Sequence, residues 1–279
     1  MINYSISKKA RFFAVVLALV LAFSLAACGS KEDPKEEEDS TPESTLSGEI
    51  MIAAAASLEN AFVQDLIPMF NKENPDVKIT GTYDASGKLQ TQIEEGLPAQ
   101  IFFSAAKKQM TALDDGGFID SGSITELLEN EVVLITGTNT TTNVTSFDNI
   151  TEAATIAIGD PASVPAGQYA QEVLTNLGTW ADVEARGSLG TNVTEVLNWV
   201  AEGSAEVGIV YKTDAASMAD KVKIIGTAPE GSLKTPVIYP IALLSNIDEG
   251  QKELATAFLD FLKSPEALAV FEKFGFKAA

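Results

Sequence analysis

The chain has 279 residues, of which 46% are hydrophobic, and a formal net charge of −20; this is enough for one large or two ordinary domains with a core. The sequence contains no histidine, and Cys28 is its single cysteine. A nucleophile paired with histidine and an internal disulfide are therefore excluded. The excess of acidic side chains argues against nucleic acid as a partner.

Residues 1–27 are typical of a lipoprotein signal peptide. Three basic residues precede a 14-residue, mostly apolar stretch that is too short for an ordinary membrane-spanning helix. Its loss would leave 16 basic and 39 acidic side chains, a formal charge of −23. The alternative, a short membrane anchor, is disfavoured by a run that resembles the lipobox of bacterial lipoproteins, Leu25-Ala26-Ala27-Cys28-Gly29. The resemblance implies cleavage before Cys28 and a lipid on its thiol, hence an extracytoplasmic protein that is lipid-anchored to the cell membrane.

Residues 28–47 are predicted to form an acidic flexible tether. The segment carries seven acidic residues, two prolines and one large apolar side chain. Such a composition cannot bury enough apolar surface to offset the entropy of ordering.

Strands and helices alternate from Glu49 onward, which predicts an α/β fold with mainly parallel sheets. An apolar run ends at Ser57, and apolar side chains then recur four residues apart, as in a helix. The first N–H groups of a helix lack intrahelical partners and carry partial positive charge, so Ser57 marks a candidate anion site. The alternative is that Ser57 only caps its own helix.

The chain repeats this arrangement several times. A second strand, near residues 77–82, leads to Ser86 and a helix, and a third joint places Pro165 in the first turn of a helix that reaches about Leu177. Asn192 is predicted to cap a further helix. A strand then ends on Tyr211, whose hydroxyl could reach a cleft, although such a tyrosine more often serves packing.

Crossing segments are predicted near residues 130–136 and 234–244. Two helices that follow are predicted to serve packing. One runs from about Glu249 to Lys263, and the other begins with Ser264-Pro265 and stops at Gly275.

Five runs, taken together and in this order, resemble the molybdate-binding proteins of bacterial ABC importers. They are Ala54-Ala55-Ala56-Ser57-Leu58, Ala85-Ser86-Gly87-Lys88-Leu89, Gly159-Asp160-Pro161 through Val164-Pro165-Ala166-Gly167, Gly208-Ile209-Val210-Tyr211 and Ser264-Pro265-Glu266-Ala267. The resemblance covers residues 48–276. It implies a type II periplasmic-binding-protein fold, in which two α/β lobes are joined by two crossing segments with the ligand cleft between them. The expected lobes are residues 48–130 with 237–279, and residues 131–236.

The resemblance also implies a set of ligand-binding residues and no catalytic residue. Ser57 and Ser86 are expected to offer hydroxyl and backbone N–H groups, Ala166 and Val193 backbone N–H groups, and Tyr211 its phenol. Donors alone favour a fully deprotonated tetrahedral oxyanion, because hydrogen phosphate brings a proton that needs an acceptor. Helix N-termini would offset much of a dianion's charge without Lys or Arg.

The prediction is therefore a monomeric binding protein, without a cofactor or a bare metal ion, that delivers molybdate or tungstate to an ABC transporter permease. A protein for another small oxyanion, such as sulfate, on the same fold is the nearest alternative. A hydrolase that uses a carboxylate pair such as Asp114 and Asp115 and a surface adhesin are more distant ones, since adjacent acids in a loop are normally solvated.

Overall fold

The computed structural model describes residues 46–279. The predicted signal peptide, Cys28 and nearly all of the predicted tether lie outside this range. Within it, no helix has both the length and the apolar character needed to cross a membrane.

The first lobe contains a mixed six-stranded sheet. Its strands are β1 (Gly48–Ala55), β2 (Val77–Asp84), β3 (Ile101–Phe103), β4 (Thr125–Asn130), β10 (Val237–Leu243) and β11 (Lys277–Ala278). Their order across the sheet is β11-β4-β10-β3-β1-β2. β1 is parallel to β2 and β3, whereas β10 is antiparallel to β3 and β4.

Helices cover both faces of this sheet. A 3-10 turn, Ala56–Leu58, leads directly into α1, which combines Glu59–Ala61, a π-helical turn Phe62–Leu66 and Ile67–Glu73. The other helices of this lobe are α2 (Ser86–Glu94), α3 (Lys107–Asp115), α8 (Glu249–Leu262) and α9 (Pro265–Lys273), with a 3-10 turn at Ser121–Ser123. Gly275, with φ of 93°, follows the end of α9, as the sequence predicts.

The second lobe contains a mixed five-stranded sheet. Its strands are β5 (Val132–Gly137), β6 (Ile156–Gly159), β7 (Ser188–Gly190), β8 (Val207–Tyr211) and β9 (Val222–Thr227). The order is β7-β6-β8-β5-β9, with β6 parallel to β7 and β8 and with β5 antiparallel to β8 and β9. Its helices are α4 (Pro165–Asn176), α5 (Trp180–Glu184), α6 (Val193–Ala201) and α7 (Lys212–Ser217), with a 3-10 helix at Phe147–Glu152.

The chain passes between the two sheets twice. Glu131 alone separates β4 from β5, and the residues between β9 and β10 carry the chain back. A helix or helical turn follows the carboxyl end of each of four strands, β1, β2, β6 and β8. The first turns of these helices lie on the side of each sheet edge that faces the other lobe.

The two lobes have cores of different character. In the first lobe, the ring of Phe62 contacts Phe103, Phe258 and Phe271 at centroid distances of 6.2, 6.3 and 6.0 Å, mostly edge to face. The second lobe is filled mainly by aliphatic side chains of its central strands and of α4 and α6, such as Ile158 and Val196, both fully buried.

The first helix contains a proline, Pro68, and the helical run continues through it. The π-helical turn ends at Leu66 and the α-helix resumes at Ile67, so Pro68 occupies the start of the resumed segment. The π-helical turn changes the hydrogen-bond pattern just before a residue that has no N–H to donate, so the run passes through Pro68.

Candidate functional site

A small pocket lies between the lobes, where the first turns of several helices meet. Its cavity volume is about 10 Å³, so the lobes leave little free space there. Its lining includes all five residues predicted to bind the ligand, Ser57, Ser86, Ala166, Val193 and Tyr211. Two of them belong to the first lobe and three to the second, so the structure brings together residues up to 154 positions apart in the sequence.

Both serines lie at strand-to-helix joints, but neither caps a helix with its side chain. Ser57 is the second residue of the 3-10 turn after β1, and Ser86 is the first residue of α2. The N-cap positions belong to Ala55 and Ala85, and neither helix has a side-chain cap. The Ser57 hydroxyl instead contacts the Tyr239 hydroxyl at 2.9 Å, and Ser86 Oγ accepts a hydrogen bond from the Ala105 N–H at 3.0 Å.

The second lobe contributes backbone groups from the first turns of two helices. Ala166 follows Pro165 at the start of α4, and Val193 opens α6. Their N–H groups have no intrahelical partner at these positions. Asn192 is the N-cap of α6, as predicted, and its side chain accepts from the Glu195 N–H at 2.9 Å. Ala166 and Val193 are 1% and 4% exposed, which keeps these first turns away from bulk solvent.

Tyr211 ends β8 and lines the pocket, and its buried hydroxyl has no hydrogen-bond partner within the protein. Burial raises the pKa of Tyr211 well above its ordinary value, so the phenol keeps its proton. A buried hydroxyl without a partner costs free energy unless a ligand supplies an acceptor.

One charged side chain, Asp84, lines the pocket, and its charge is matched by neighbours. Asp84 Oδ1 accepts from the Ala85 N–H at 2.8 Å, from Asn192 Nδ2 at 3.1 Å and from Lys88 Nζ at 3.3 Å. Among the described residues that line the pocket, none is Lys or Arg. The site therefore presents neutral donors to whatever it binds.

Direct contacts between the lobes close the cleft. The Gly87 N–H donates to the Ser163 carbonyl at 2.9 Å, and Asn192 Nδ2 donates to Asp84 Oδ1 at 3.1 Å. A Cβ atom on Gly87 would lie 2.4 Å from the Ser163 carbonyl oxygen, so a larger residue would hold the lobes apart. These contacts correspond to a closed cleft, in which most of the residues that line the pocket are buried.

Behind the pocket lies a polar cluster that sequence reasoning did not identify. Tyr239, on β10, is fully buried and contacts Ser57, while Asn130 Nδ2 donates to Tyr239 Oη at 3.2 Å. Nearby, the buried Asp214 accepts from the Tyr211 N–H at 3.0 Å, and burial raises its pKa from 3.8 to about 7. No motif marks Tyr239 or Asp214, because each acquires its role only through contacts made by folding.

The remaining candidates do not form a catalytic or metal site. Asp114 hydrogen-bonds Ser121 at the surface and lies apart from the pocket. Within residues 46–279, no group of three or more Cys, Asp or Glu side chains could hold a metal ion.

Comparisons with known proteins agree with this architecture. Residues 50–277 match the family described as bacterial extracellular solute-binding protein. The chain is 38% identical over 267 residues to a Bacillus subtilis protein with the provisional name ABC transporter substrate-binding lipoprotein YvgL, covering 95% of this chain and 98% of that protein. It is also 36% identical over 236 residues to the molybdate-binding protein ModA of Escherichia coli, covering 82% and 89% of the two chains.

A solved structure extends the likeness to the fold. The periplasmic molybdate-binding protein of Azotobacter vinelandii superposes with a TM-score of 0.71 at 25% identity, covering 81% of this chain and 98% of that one. The predicted periplasmic-binding-protein fold is confirmed, as is the prediction of a binding protein rather than an enzyme. From the matched residues and the two-lobed fold, we conclude that the chain belongs to the bacterial extracellular solute-binding proteins, a family that acts outside the cytoplasm.

Proposed function

We propose that this protein binds molybdate, and also the chemically similar ion tungstate, for delivery to the permease of an ABC importer. One observation carries the proposal: hydroxyl and first-turn amide groups from both lobes converge on one small pocket without a cationic side chain. The relatives named for molybdate binding support the choice of ion.

In this proposal, the five predicted residues replace the hydration shell of the ion. Ser57 and Ser86 donate from hydroxyl and amide groups, Ala166 and Val193 donate from their amides, and Tyr211 donates from its phenol. A hydrogen bond to a charged acceptor contributes about 1.5 to 3 kcal/mol, so several together support tight binding. The first turns of the helices add partial positive charge at the same place.

The same donor set would select the protonation state of the ligand. Molybdate, tungstate and sulfate accept at every oxygen near neutral pH, whereas hydrogen phosphate also presents a hydrogen that needs an acceptor. Sulfate must then be disfavoured by its smaller size, which would stretch its hydrogen bonds across the same pocket.

The experiment is a calorimetric competition titration with molybdate, tungstate, sulfate and phosphate on the mature protein. Tight binding of molybdate and tungstate, with sulfate much weaker and phosphate undetectable, is the expected result. Preference for sulfate would assign the pocket to the alternative ligand, and absence of binding by all four ions would contradict the proposal.

We also propose that the mature protein is a monomer, tethered by residues 28–47 to a lipid on Cys28. The provisional lipoprotein name of the Bacillus subtilis relative supports the anchor. Replacing Cys28 by Ser should shift the protein from the membrane fraction to the soluble extracellular fraction. Unchanged membrane association of that variant would contradict the lipid anchor.

The two lobes are proposed to divide the chain at residues 130/131 and 236/237. These positions coincide with the passages between the sheets, where rotation would open the cleft with least disturbance of either core.

A further inference from the structure

Tyr239 lies behind the pocket and forms a hydrogen-bonded chain with two other side chains. It is fully buried on β10, and its hydroxyl is 2.9 Å from Ser57 Oγ and 3.2 Å from Asn130 Nδ2. Distances alone leave the direction of the contact between Tyr239 and Ser57 open, because either hydroxyl can donate.

The orientation of Asn130 resolves this direction. Asn130 Oδ1 accepts from the Glu131 N–H at 2.8 Å, and a backbone N–H can only donate. The amide nitrogen of Asn130 must therefore face Thr213 and Tyr239, to which it donates at 2.9 and 3.2 Å. If the amide were flipped, its NH₂ group would face the Glu131 N–H, and two donors would meet without an acceptor. The hydrogen bonds therefore fix which end of the Asn130 amide is the oxygen.

The donor at Asn130 then sets the direction of the hydrogen bond between Tyr239 and Ser57. Because Tyr239 Oη accepts from Asn130, its own hydrogen points elsewhere. Ser57 Oγ is the other oxygen hydrogen-bonded to it, at 2.9 Å, and the neighbouring Tyr211 hydroxyl makes no hydrogen bond, so this hydrogen is assigned to Ser57. Burial raises the pKa of Tyr239 well above its ordinary value, so this hydrogen is present at every physiological pH. Ser57 Oγ thus accepts from behind, and its own hydrogen remains for the pocket.

Ser86 reaches the same state by a different route. Its oxygen accepts from the Ala105 N–H at 3.0 Å, so its hydrogen is also left for the pocket. The direction of this contact is fixed by the backbone, whereas that of Ser57 depends on two side chains.

We propose that Tyr239 is a positioning residue for oxyanion binding, which orients the Ser57 hydroxyl so that its hydrogen points into the pocket as a donor. This inference rests on the proposed function and adds a selectivity device to it. Each serine oxygen then already accepts one hydrogen bond, which leaves its hydrogen for the ligand and makes it a poorer acceptor for a protonated oxyanion. The chain from Asn130 to Ser57 therefore favours a fully deprotonated ligand.

The test is a double-mutant cycle of Tyr239→Phe and Ser57→Ala, with molybdate affinity measured by calorimetry. Tyr239→Phe should weaken binding about three- to tenfold when Ser57 is present, because the hydroxyl is no longer oriented. In the Ser57→Ala background the same change should have an effect of less than about twofold. A purely structural role would cause equal losses in both backgrounds.

Tyr83→Phe is the matched control. Unlike that of Tyr239, its buried hydroxyl has no hydrogen-bond partner, and Tyr83 does not line the pocket, so affinity should stay at the wild-type value. Thermal unfolding of each ligand-free variant identifies any loss of folding.

A second variant, Asn130→Asp, keeps the size of the side chain but replaces its donor with an acceptor. Tyr239 would then donate to the new carboxylate, and Ser57 would have to donate to Tyr239, so molybdate affinity should fall at least as far as in Tyr239→Phe. Wild-type affinity in either variant, or equal losses in both serine backgrounds, overturns the role of Tyr239 and leaves the proposed function standing. A wild-type protein that binds none of the oxyanions overturns both.

Discussion

The two lobes contribute to the pocket in different ways. The first lobe supplies Ser57 and Ser86, whose hydroxyl groups are hydrogen-bonded to Tyr239 and to the Ala105 N–H behind the pocket. The second supplies Ala166 and Val193, whose side chains cannot hydrogen-bond and which act only through their backbone, together with the unpartnered hydroxyl of Tyr211. The first-lobe half of the site thus depends on side-chain identity as well as on where helices begin, whereas most of the second-lobe half depends only on where helices begin.

This difference predicts how each half tolerates substitution. The hydroxyl donor of a first-lobe serine is lost when that side chain is replaced by alanine. A backbone N–H of the second lobe is retained in every substitution except proline. The lobes also differ in buried charge. Asp214 is the only acidic or basic side chain that is buried among residues 46–279, and it lies behind the second-lobe face of the pocket.

The largest effect is expected where the lobes meet. Gly87→Ala would place a Cβ atom 2.4 Å from the Ser163 carbonyl oxygen, which belongs to the other lobe. The closed state should lose at least about 2 to 3 kcal/mol, so molybdate affinity should fall roughly thirty- to hundredfold by calorimetry. Stability of the ligand-free protein should not fall, because an open cleft relieves the clash and alanine favours the helix.

Gly250→Ala is the control for this change. Gly250 also lies in the first turn of a helix, α8, with no atom within 4 Å of an added Cβ. Its affinity should equal that of the wild type. Unchanged affinity in Gly87→Ala would contradict the closed state as the binding state.

A backbone donor of the second lobe can be removed by Val193→Pro. Val193 opens α6, where proline is favoured, and Asn192 has the extended conformation that precedes proline well, with φ of −156° and ψ of 174°. The loss of one N–H to a charged ligand should cost about 1.5 to 3 kcal/mol, or ten- to hundredfold in affinity.

Val193→Ala is the matched control, since it keeps the N–H while it shortens the side chain. Calorimetry should show a much smaller loss for alanine than for proline. Equal affinities of the two variants would show that the Val193 amide does not contact the ion.

The buried carboxyl of the second lobe predicts a pH effect on stability. The pKa of Asp214 is raised from 3.8 to about 7 in the folded protein, so the folded state binds more protons than the unfolded state between these values. Its contribution to stability therefore falls as pH rises through this window and is constant above it. Asp214→Asn retains an oxygen for the Tyr211 N–H and removes the titration.

Thermal unfolding of the ligand-free protein at pH 5 and pH 8 measures this effect. The advantage of Asp214→Asn over the wild type should grow by about 2 kcal/mol from the lower to the higher pH. An advantage of the same size at both pH values would show that the pKa of Asp214 is not raised by burial, and would contradict the prediction.

The smallest effect is expected from salt. Neutral donors in a closed cleft are screened little, so molybdate affinity should change less than about twofold when sodium chloride rises from roughly 0.05 to 0.5 M. A steep loss with salt would instead indicate a Lys or Arg side chain in contact with the ion.

The sequence predicted buried central strands of the two sheets better than it predicted short or polar strands. The strands that end before Ser57 and at Tyr211, β1 and β8, were predicted from their sequence and are largely buried on both faces. β4, β7, β9 and β11 were not predicted. They are short or polar, and they are strands because neighbouring strands pair with them rather than because of their own composition.

The site shows a similar division. Ser57 and Ser86 were predicted from hydroxyl residues at strand-to-helix joints, whereas the positions of Ala166 and Val193 could be assigned only from resemblance, because an amide leaves no trace in side-chain identity. The partner of Ser57 could not be predicted at all. Tyr239 lies 182 residues away and meets Ser57 only after β10 has joined the first sheet.

The most direct measurement is a crystal structure of the molybdate complex, with molybdenum located by its anomalous scattering. The ion should lie between Ser57, Ser86, Ala166, Val193 and Tyr211, with each oxygen within hydrogen-bonding distance of donors from both lobes. Molybdenum located elsewhere, or a lysine or arginine side chain in contact with it, would contradict recognition by neutral donors.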